Sequence, residues 1–104
     1  MIIKLTHEFK NMEGEPLNNP FSKDKPLTML SLCVNALVGM DLEGEKTSGE
    51  DKMKRYLLAE RMMENGKEID LKADEIVTLK SLIAKRFAPI IVGPAWRILE
   101  PEEN

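Results

Sequence analysis

Apolar residues recur at three- and four-residue intervals through most of the chain, a spacing typical of helices with one buried face. The pattern predicts a first helix at residues 28–40, a second at residues 50–65 and a third at residues 73–86. The first of these carries almost no charge, so it must be covered either by the core or by a partner.

Several residues mark where the predicted helices begin. Thr28 and Ser48 precede the first two helices, where a side-chain hydroxyl can accept a hydrogen bond from a free amide of the first turn. Pro89 can begin a fourth helix, because a first helical position needs no amide donor. Pro94 follows within that helix, and the sequence leaves open whether the helix kinks there or ends and restarts.

The apolar stripes of the three longer helices define the expected core. In the first helix the stripe is Leu27, Leu30, Val34, Leu37 and Val38, with Cys33 beside it. In the second helix it is Met53, Tyr56, Leu57 and Met63, with Ala59 or Glu60 between them. In the third helix it is Ile76, Leu79, Leu82, Ile83 and Phe87.

The N-terminal part alternates between apolar and polar residues, which favours extended structure. Residues 2–9 predict a strand that turns Ile3, Leu5 and His7 to one side. A turn around Gly14 and a return strand near Pro16 would complete a β-hairpin. Residues 68–71 form a short extended link that could pair with this hairpin. We therefore expect a mainly α fold with a minor β part, in which three to four short helices pack as a small bundle with an N-terminal β-hairpin.

The length of 104 residues predicts a single domain. We divide it into a hairpin and loop at 1–26, helices at 27–100 and an acidic tail at 101–104. Cys33 is the only cysteine, which excludes an intramolecular disulfide and favours a reducing compartment. The N-terminal segment does not have the pattern of a signal peptide, and no apolar run approaches the roughly 20 residues that cross a bilayer. We expect a cytoplasmic protein without a membrane partner.

The sequence contains no convincing catalytic or ligand-binding motif. His7 is the only histidine, so a histidine-based metal cluster is excluded, and its strand position favours a structural role. Cys33 within an apolar helix is typical of a small buried side chain. The 41–52 loop has the wrong residues at the glycine and glutamate positions of a calcium loop, and it lacks the first glycine of a phosphate loop. We therefore expect no enzyme activity and no cofactor or metal.

Two groups of residues are candidates for binding a macromolecule. The first is a protein-docking surface, because methionine adapts to varied partners and an uncovered tryptophan makes a strong anchor. Its members are Met53, Met62, Met63, Trp96 and Arg97, and core packing is the favoured alternative for Trp96 and the methionines. The second group comprises candidate phosphate contacts, which are Lys80, Lys85 and Arg86, together with Arg97. For these cations a solvated face with local ion pairs is favoured, and the net charge of −3 argues against a dedicated nucleic-acid binder.

Short motifs spread over most of the chain resemble a family of small proteins carried by tailed phages and prophages. They are DLKADEI at 70–76, APIIVGPAWRILE at 88–100, MEGEPL at 12–17, LT at 27–28 and NAL at 35–37. The family patterns are DL-x-AEE at a helix start, an ending like VVG-x-AW-x-LL, and a turn like LDG-x-PL. Lys72 and Pro94 depart from them, where a capping serine and a helix-compatible residue would be expected. The resemblance implies a phage or prophage origin, and it implies no established activity.

These observations lead to one functional hypothesis and two alternatives. The leading hypothesis is a non-enzymatic interaction module that binds a phage or host protein in the host cytoplasm. A nucleic-acid-associated accessory factor is the first alternative. A self-associating structural or assembly protein is the second, because an apolar helix can also be covered by a second copy.

Overall fold

The structure, a computed structural model, describes residues 1–100. Its elements in chain order are β1 (Ile2–Lys4), α1 (Met29–Val38), α2 (Gly49–Asn65), β2 (Glu68–Asp70), α3 (Ala73–Arg86) and α4 (Pro89–Leu99). The expected mainly α fold with a minor β part is confirmed. The predicted acidic tail, 101–104, lies outside the described residues.

The predicted helix starts are confirmed by their caps. The Thr28 hydroxyl accepts a hydrogen bond from the Ser31 amide, and the Ser48 hydroxyl accepts one from the Asp51 amide. Lys72, at the N-cap of α3, has no side-chain acceptor to offer. The carboxylate of Glu75 instead accepts a hydrogen bond from the Lys72 amide at 2.8 Å, which satisfies one free donor at this end of the helix.

Helix α4 runs without interruption through Pro94, which decides the question that the sequence left open. Pro94 lacks an amide and therefore removes the one hydrogen bond that would run to the Ile90 carbonyl. A contact with α3 stabilises α4 next to this proline, because the indole N–H of Trp96 donates to the Lys80 carbonyl of α3 at 3.2 Å. Helix α4 packs on α3 and on β1.

The N-terminal segment makes two kinds of β pairing. Strand β1 pairs antiparallel with β2, with Ile3 opposite Ile69, so the extended link at residues 68–71 does pair with the N-terminal strand. The chain then turns back on itself, with one bridge between Lys10 and Pro16. Because Pro16 has no amide, the hairpin does not extend there as a regular ladder, and the Leu17 amide donates to the Phe9 carbonyl instead.

The core draws on every element, but the predicted stripes of α1, of α2 and of the N-terminal segment differ from the residues that are buried. In α1, Val38 is exposed, and Leu32, absent from the predicted stripe, is fully buried. In the N-terminal segment the strand ends at Lys4 rather than at residue 9, and beyond it His7 is exposed whereas Phe9 is buried. The stripe of α3 is correct, with Leu79, Leu82 and Ile83 buried and its two end residues half-buried.

Helix α2 shows the largest difference from the sequence prediction. Its buried residues are Leu58, Ala59 and Met62, whereas the predicted core residues Met53, Tyr56, Leu57 and Met63 are exposed. Both sets have helical spacing, and the helix buries the one that faces α1 and β2, its neighbours in the fold. Among residues 1–100, no helix is both long enough and apolar enough to cross a bilayer.

Candidate interaction surface

The side of α2 that points away from the core is apolar at several positions. Together with Val38 at the end of α1, these positions form a surface that we call the outer apolar face. Its members are Val38, Met53, Tyr56, Leu57 and Met63, and each is between 50% and 60% exposed.

The sequence of α2 produces this face through two doubled apolar pairs. Leu57 is followed by Leu58, and Met62 is followed by Met63. Consecutive residues on a helix point about 100° apart, so a helix with one covered side buries one member of each pair and exposes the other. Leu58 and Met62 are the buried members, and Leu57 and Met63 the exposed ones.

Two depressions flank the exposed side of α2. A shallow groove of about 330 Å³ lies between α1 and α2, and Val34, Val38, Tyr56 and Met63 contribute to its lining. A second cleft of about 480 Å³ lies where α2 meets α3, and Leu57 lines it among charged side chains of both helices. The outer apolar face therefore continues into concave surface on both sides of the helix.

Exposed side chains of both charges lie along α2. Glu50, Asp51, Lys52 and Lys54 lie in its first half, and Glu60 and Glu64 lie in its second half. All six are exposed, and none of them makes an ion pair with another group of residues 1–100. The hydroxyl of Tyr56 donates to the Glu60 carboxylate at 3.4 Å.

The position of α2 is fixed by an ion pair behind this face. The Arg61 guanidinium donates to the Glu75 carboxylate of α3 at 2.9 Å and to the Asp70 carbonyl of β2 at 3.2 Å. Partial burial acts to raise the pKa of Glu75, but hydrogen bonds from Arg61 and from the Lys72 amide outweigh it, and the pKa lies below its ordinary value. This pair joins α2, β2 and α3.

The structure separates the residues that the sequence grouped as a docking surface. Met53 and Met63 lie on the outer apolar face, but Met62 is fully buried in the core, so its inclusion in a surface is wrong. Trp96 is half-buried against α3, with the Lys80 ammonium 4.3 Å from the centre of its ring. Arg97 is exposed on α4, which packs on α3 and β1 rather than beside the methionines.

The candidate phosphate contacts do not form one open patch. The side chain of Arg86 is only 9% exposed, and its guanidinium donates to the Glu45 carboxylate at 3.0 Å and to the Met40 carbonyl at 3.2 Å. Arg86 is therefore a structural residue that holds the 41–47 loop, and its assignment as a phosphate contact is wrong. Lys85 lies 3.7 Å from Glu45, and Lys80 pairs with Glu100.

The shifted pKa values of Cys33, Asp41 and Glu45 are explained by burial and by hydrogen bonds within the fold. Burial raises the pKa of the Cys33 thiol to about 12, which leaves it protonated and unreactive at neutral pH. Hydrogen bonds from Thr47 lower the pKa of Asp41, and a hydrogen bond from the Leu42 amide, helped by Arg86, lowers that of Glu45. Within residues 1–100, no cluster of three or more histidine, cysteine or acidic side chains is placed to hold a metal ion.

The apolar spacing of the sequence places Val38, Tyr56 and Leu57 in the core, and so does not reveal most of the outer apolar face. The doubled pairs of α2 were the available signal, since a helix with apolar residues on two sides can satisfy the core with only one of them. Comparison with protein-family models, curated proteins and solved structures finds no match to this chain. The function is therefore inferred from the surface of α1 and α2.

Proposed function

We propose that this protein is a non-enzymatic interaction module that docks another protein on its outer apolar face. The observation that carries the proposal is the half-exposure of five large apolar side chains on adjoining sides of α1 and α2. Single exposed apolar residues are common, but a contiguous apolar patch with a polar rim marks a binding surface.

The residue types of this face suit protein recognition. Tyrosine and methionine are enriched in protein interfaces, where tyrosine combines a large apolar area with a hydroxyl at the edge. Tyr56 has this arrangement, since its ring lies between apolar neighbours and its hydroxyl meets Glu60. Met53 and Met63 add flexible side chains that adapt to the shape of a partner.

The phage-like motifs suggest where the partner is found. We propose a phage or prophage origin, with a phage or host protein as the docked chain. A nucleic-acid role has less support from the geometry, because the Arg86 guanidinium is occupied by Glu45 and Met40, and Lys80 by Glu100 and Trp96.

A capture experiment with matched variants tests the proposal. Leu57→Glu places a charge on the outer apolar face. Val77→Glu makes the same change on α3 at a residue that is 66% exposed and outside the face. The tagged proteins are incubated with extract of cells that carry the phage, and the recovered proteins are quantified by mass spectrometry.

We expect the wild type and Val77→Glu to recover the same specific protein, and Leu57→Glu to recover it roughly tenfold less or worse, because a charge buried in an interface is strongly unfavourable. Equal recovery by Leu57→Glu, or no specific protein with any of the three, would refute the proposal. Far-UV circular dichroism of each variant verifies that the helices are intact.

A further inference from the structure

We propose that an extended peptide segment of another protein binds along the free edge of β1 and adds a third strand to the β1–β2 sheet. This edge shares no residue with the outer apolar face, so it is a second binding site beyond the proposed function. Its occupant is identified by the main-chain groups at the edge, because an extended backbone is the partner that matches their spacing.

The main-chain groups of two residues in β1 point away from β2. The Leu5 amide donates to the Lys67 carbonyl at 2.7 Å, and Ile3 lies opposite its partner in the same phase of the antiparallel ladder. Main-chain groups alternate between the two sides of a strand, so those of Ile2 and Lys4 face the free edge. Within residues 1–100 they have no hydrogen-bond partner. The edge therefore presents two donors and two acceptors, with the two residues about 7 Å apart.

A groove of about 300 Å³ lies beside this free edge. Ile2, Lys4 and Thr6 of the N-terminal segment and Ile98 of α4 contribute to its lining. Ile2 is 65% exposed, and Lys4 is also exposed. Ile98 packs against the core but is only partly buried there. The edge is therefore open to solvent, and an added strand would find apolar surface next to it.

The surroundings of the edge indicate which side chains the peptide carries. A peptide residue opposite Ile3 points to the core side of the sheet, where Ile98 offers apolar contact, so this residue should be apolar. A residue opposite Lys4 lies beside its ammonium, and none of the described residues that line the groove is acidic, so this residue should be acidic. Glu68 and Asp70 belong to β2, which is one strand further away on the other side of β1.

A second copy of this chain is a poorer match for the edge. Pairing two β1 strands about a two-fold axis would place Lys4 of each copy beside Ile2 of the other. Residues 1–7 contain no acidic side chain, so neither lysine would gain a counter-charge from the opposite strand. Lysine on an edge strand is also a feature by which proteins avoid edge-to-edge association with their own copies.

The test is an NMR titration of the full-length ¹⁵N-labelled protein with a synthetic peptide. The probe is acetyl-Thr-Ser-Glu-Val-Thr-Ser-amide, which can place its glutamate opposite Lys4 and its valine opposite Ile3 in an antiparallel strand. We expect saturable shifts of the Ile2 and Lys4 amide resonances. A matched peptide, N-methylated at the glutamate and at the second threonine, keeps every side chain but lacks the two donors that face β1. It is expected to bind roughly tenfold more weakly or worse, because each hydrogen bond contributes about fivefold.

Two variants of Lys4 separate the main chain from the charge. Lys4→Pro removes the amide at the free edge without removing a bond to β2, and it is expected to weaken peptide binding roughly fivefold or more. Lys4→Thr keeps the amide and removes the charge, so it should weaken binding only about two- to threefold. That smaller loss should vanish for a peptide with glutamine in place of glutamate. Far-UV circular dichroism verifies the fold, and the two peptides decide the question on wild-type protein alone if Lys4→Pro does not fold.

Four results would overturn the proposal. The first is equal affinity for the parent and the N-methylated peptide, and the second is the absence of any shift at millimolar peptide. The third is a set of shifts that maps to the outer apolar face instead of β1. The fourth is a wild-type dimer by light scattering that returns to the chain mass of 11.8 kDa in Lys4→Pro, which would assign the edge to a second copy.

Discussion

Two neighbouring methionines in α2 give the sharpest test of how this helix sits on the core. Met62 is fully buried, whereas Met63 is 60% exposed. Replacing Met62 by alanine removes three buried heavy atoms, which is about 2–3 kcal/mol of transfer free energy at about 0.8 kcal/mol per buried methylene. The cavity left behind adds to this, so we expect Met62→Ala to lower the free energy of unfolding by about 3–4 kcal/mol.

The matched change, Met63→Ala, is expected to alter the free energy of unfolding by about 0.5 kcal/mol or less, since the side chain is already largely in water. Both variants gain the same small increase in helix propensity, which cancels in the comparison. For a domain of this size, Met62→Ala should lower the Tm by about 10–20 °C.

Urea and thermal unfolding, followed by circular dichroism at two protein concentrations, measure both changes, because a Tm that depends on concentration reports association. Equal losses of unfolding free energy in the two variants at the lower concentration would refute the assigned helix phase. A larger loss in Met63→Ala than in Met62→Ala would show that the opposite side of α2 faces the core.

Three further predictions concern stability and reactivity. Thr28→Ala should lower the free energy of unfolding by about 1 kcal/mol through loss of its cap, whereas Lys72→Ser should raise it by about 0.5–1 kcal/mol by supplying one, both measured by urea unfolding. Because the pKa of Glu75 is lowered in the folded state, its stabilising effect is present above the ordinary value of 4.5 and is lost as the pH falls below it, so the difference in unfolding free energy between wild type and Glu75→Gln should shrink in acid. Cys33 should react with a thiol reagent at pH 8 only under unfolding conditions, and rapid labelling of the native protein would contradict its burial.

Local signals in the sequence were sufficient for the helix termini. The residues 73–86 predicted for the third helix are those of α3, and both predicted hydroxyl caps are made. These features depend on contacts within a few residues along the chain, such as the Thr28 hydroxyl with the Ser31 amide. A single sequence contains that information because both partners are close together in it.

The candidate site could not be obtained in the same way. Met53, Tyr56, Leu57 and Met63 share a helical face as regular as that of Leu58, Ala59 and Met62, so periodicity alone does not say which face is buried. Arg86 presents the same difficulty, since its partner Glu45 lies 41 residues away and nothing local marks the pairing.

The sequence by itself determined the helical class, the three longer helices and most of their ends, because propensity, capping and spacing act over one or two turns. Only the tertiary structure decided which side of α2 is covered, that Pro94 stays within α4, and that β1 pairs with β2. These outcomes depend on contacts between segments that are far apart in the sequence. Strand β1 at the N-terminus pairs with β2, which follows α2, and the Lys80 carbonyl of α3 accepts a hydrogen bond from Trp96, two residues after Pro94. Burial is settled by which neighbours a face meets, and the neighbours are assembled only when the whole chain folds.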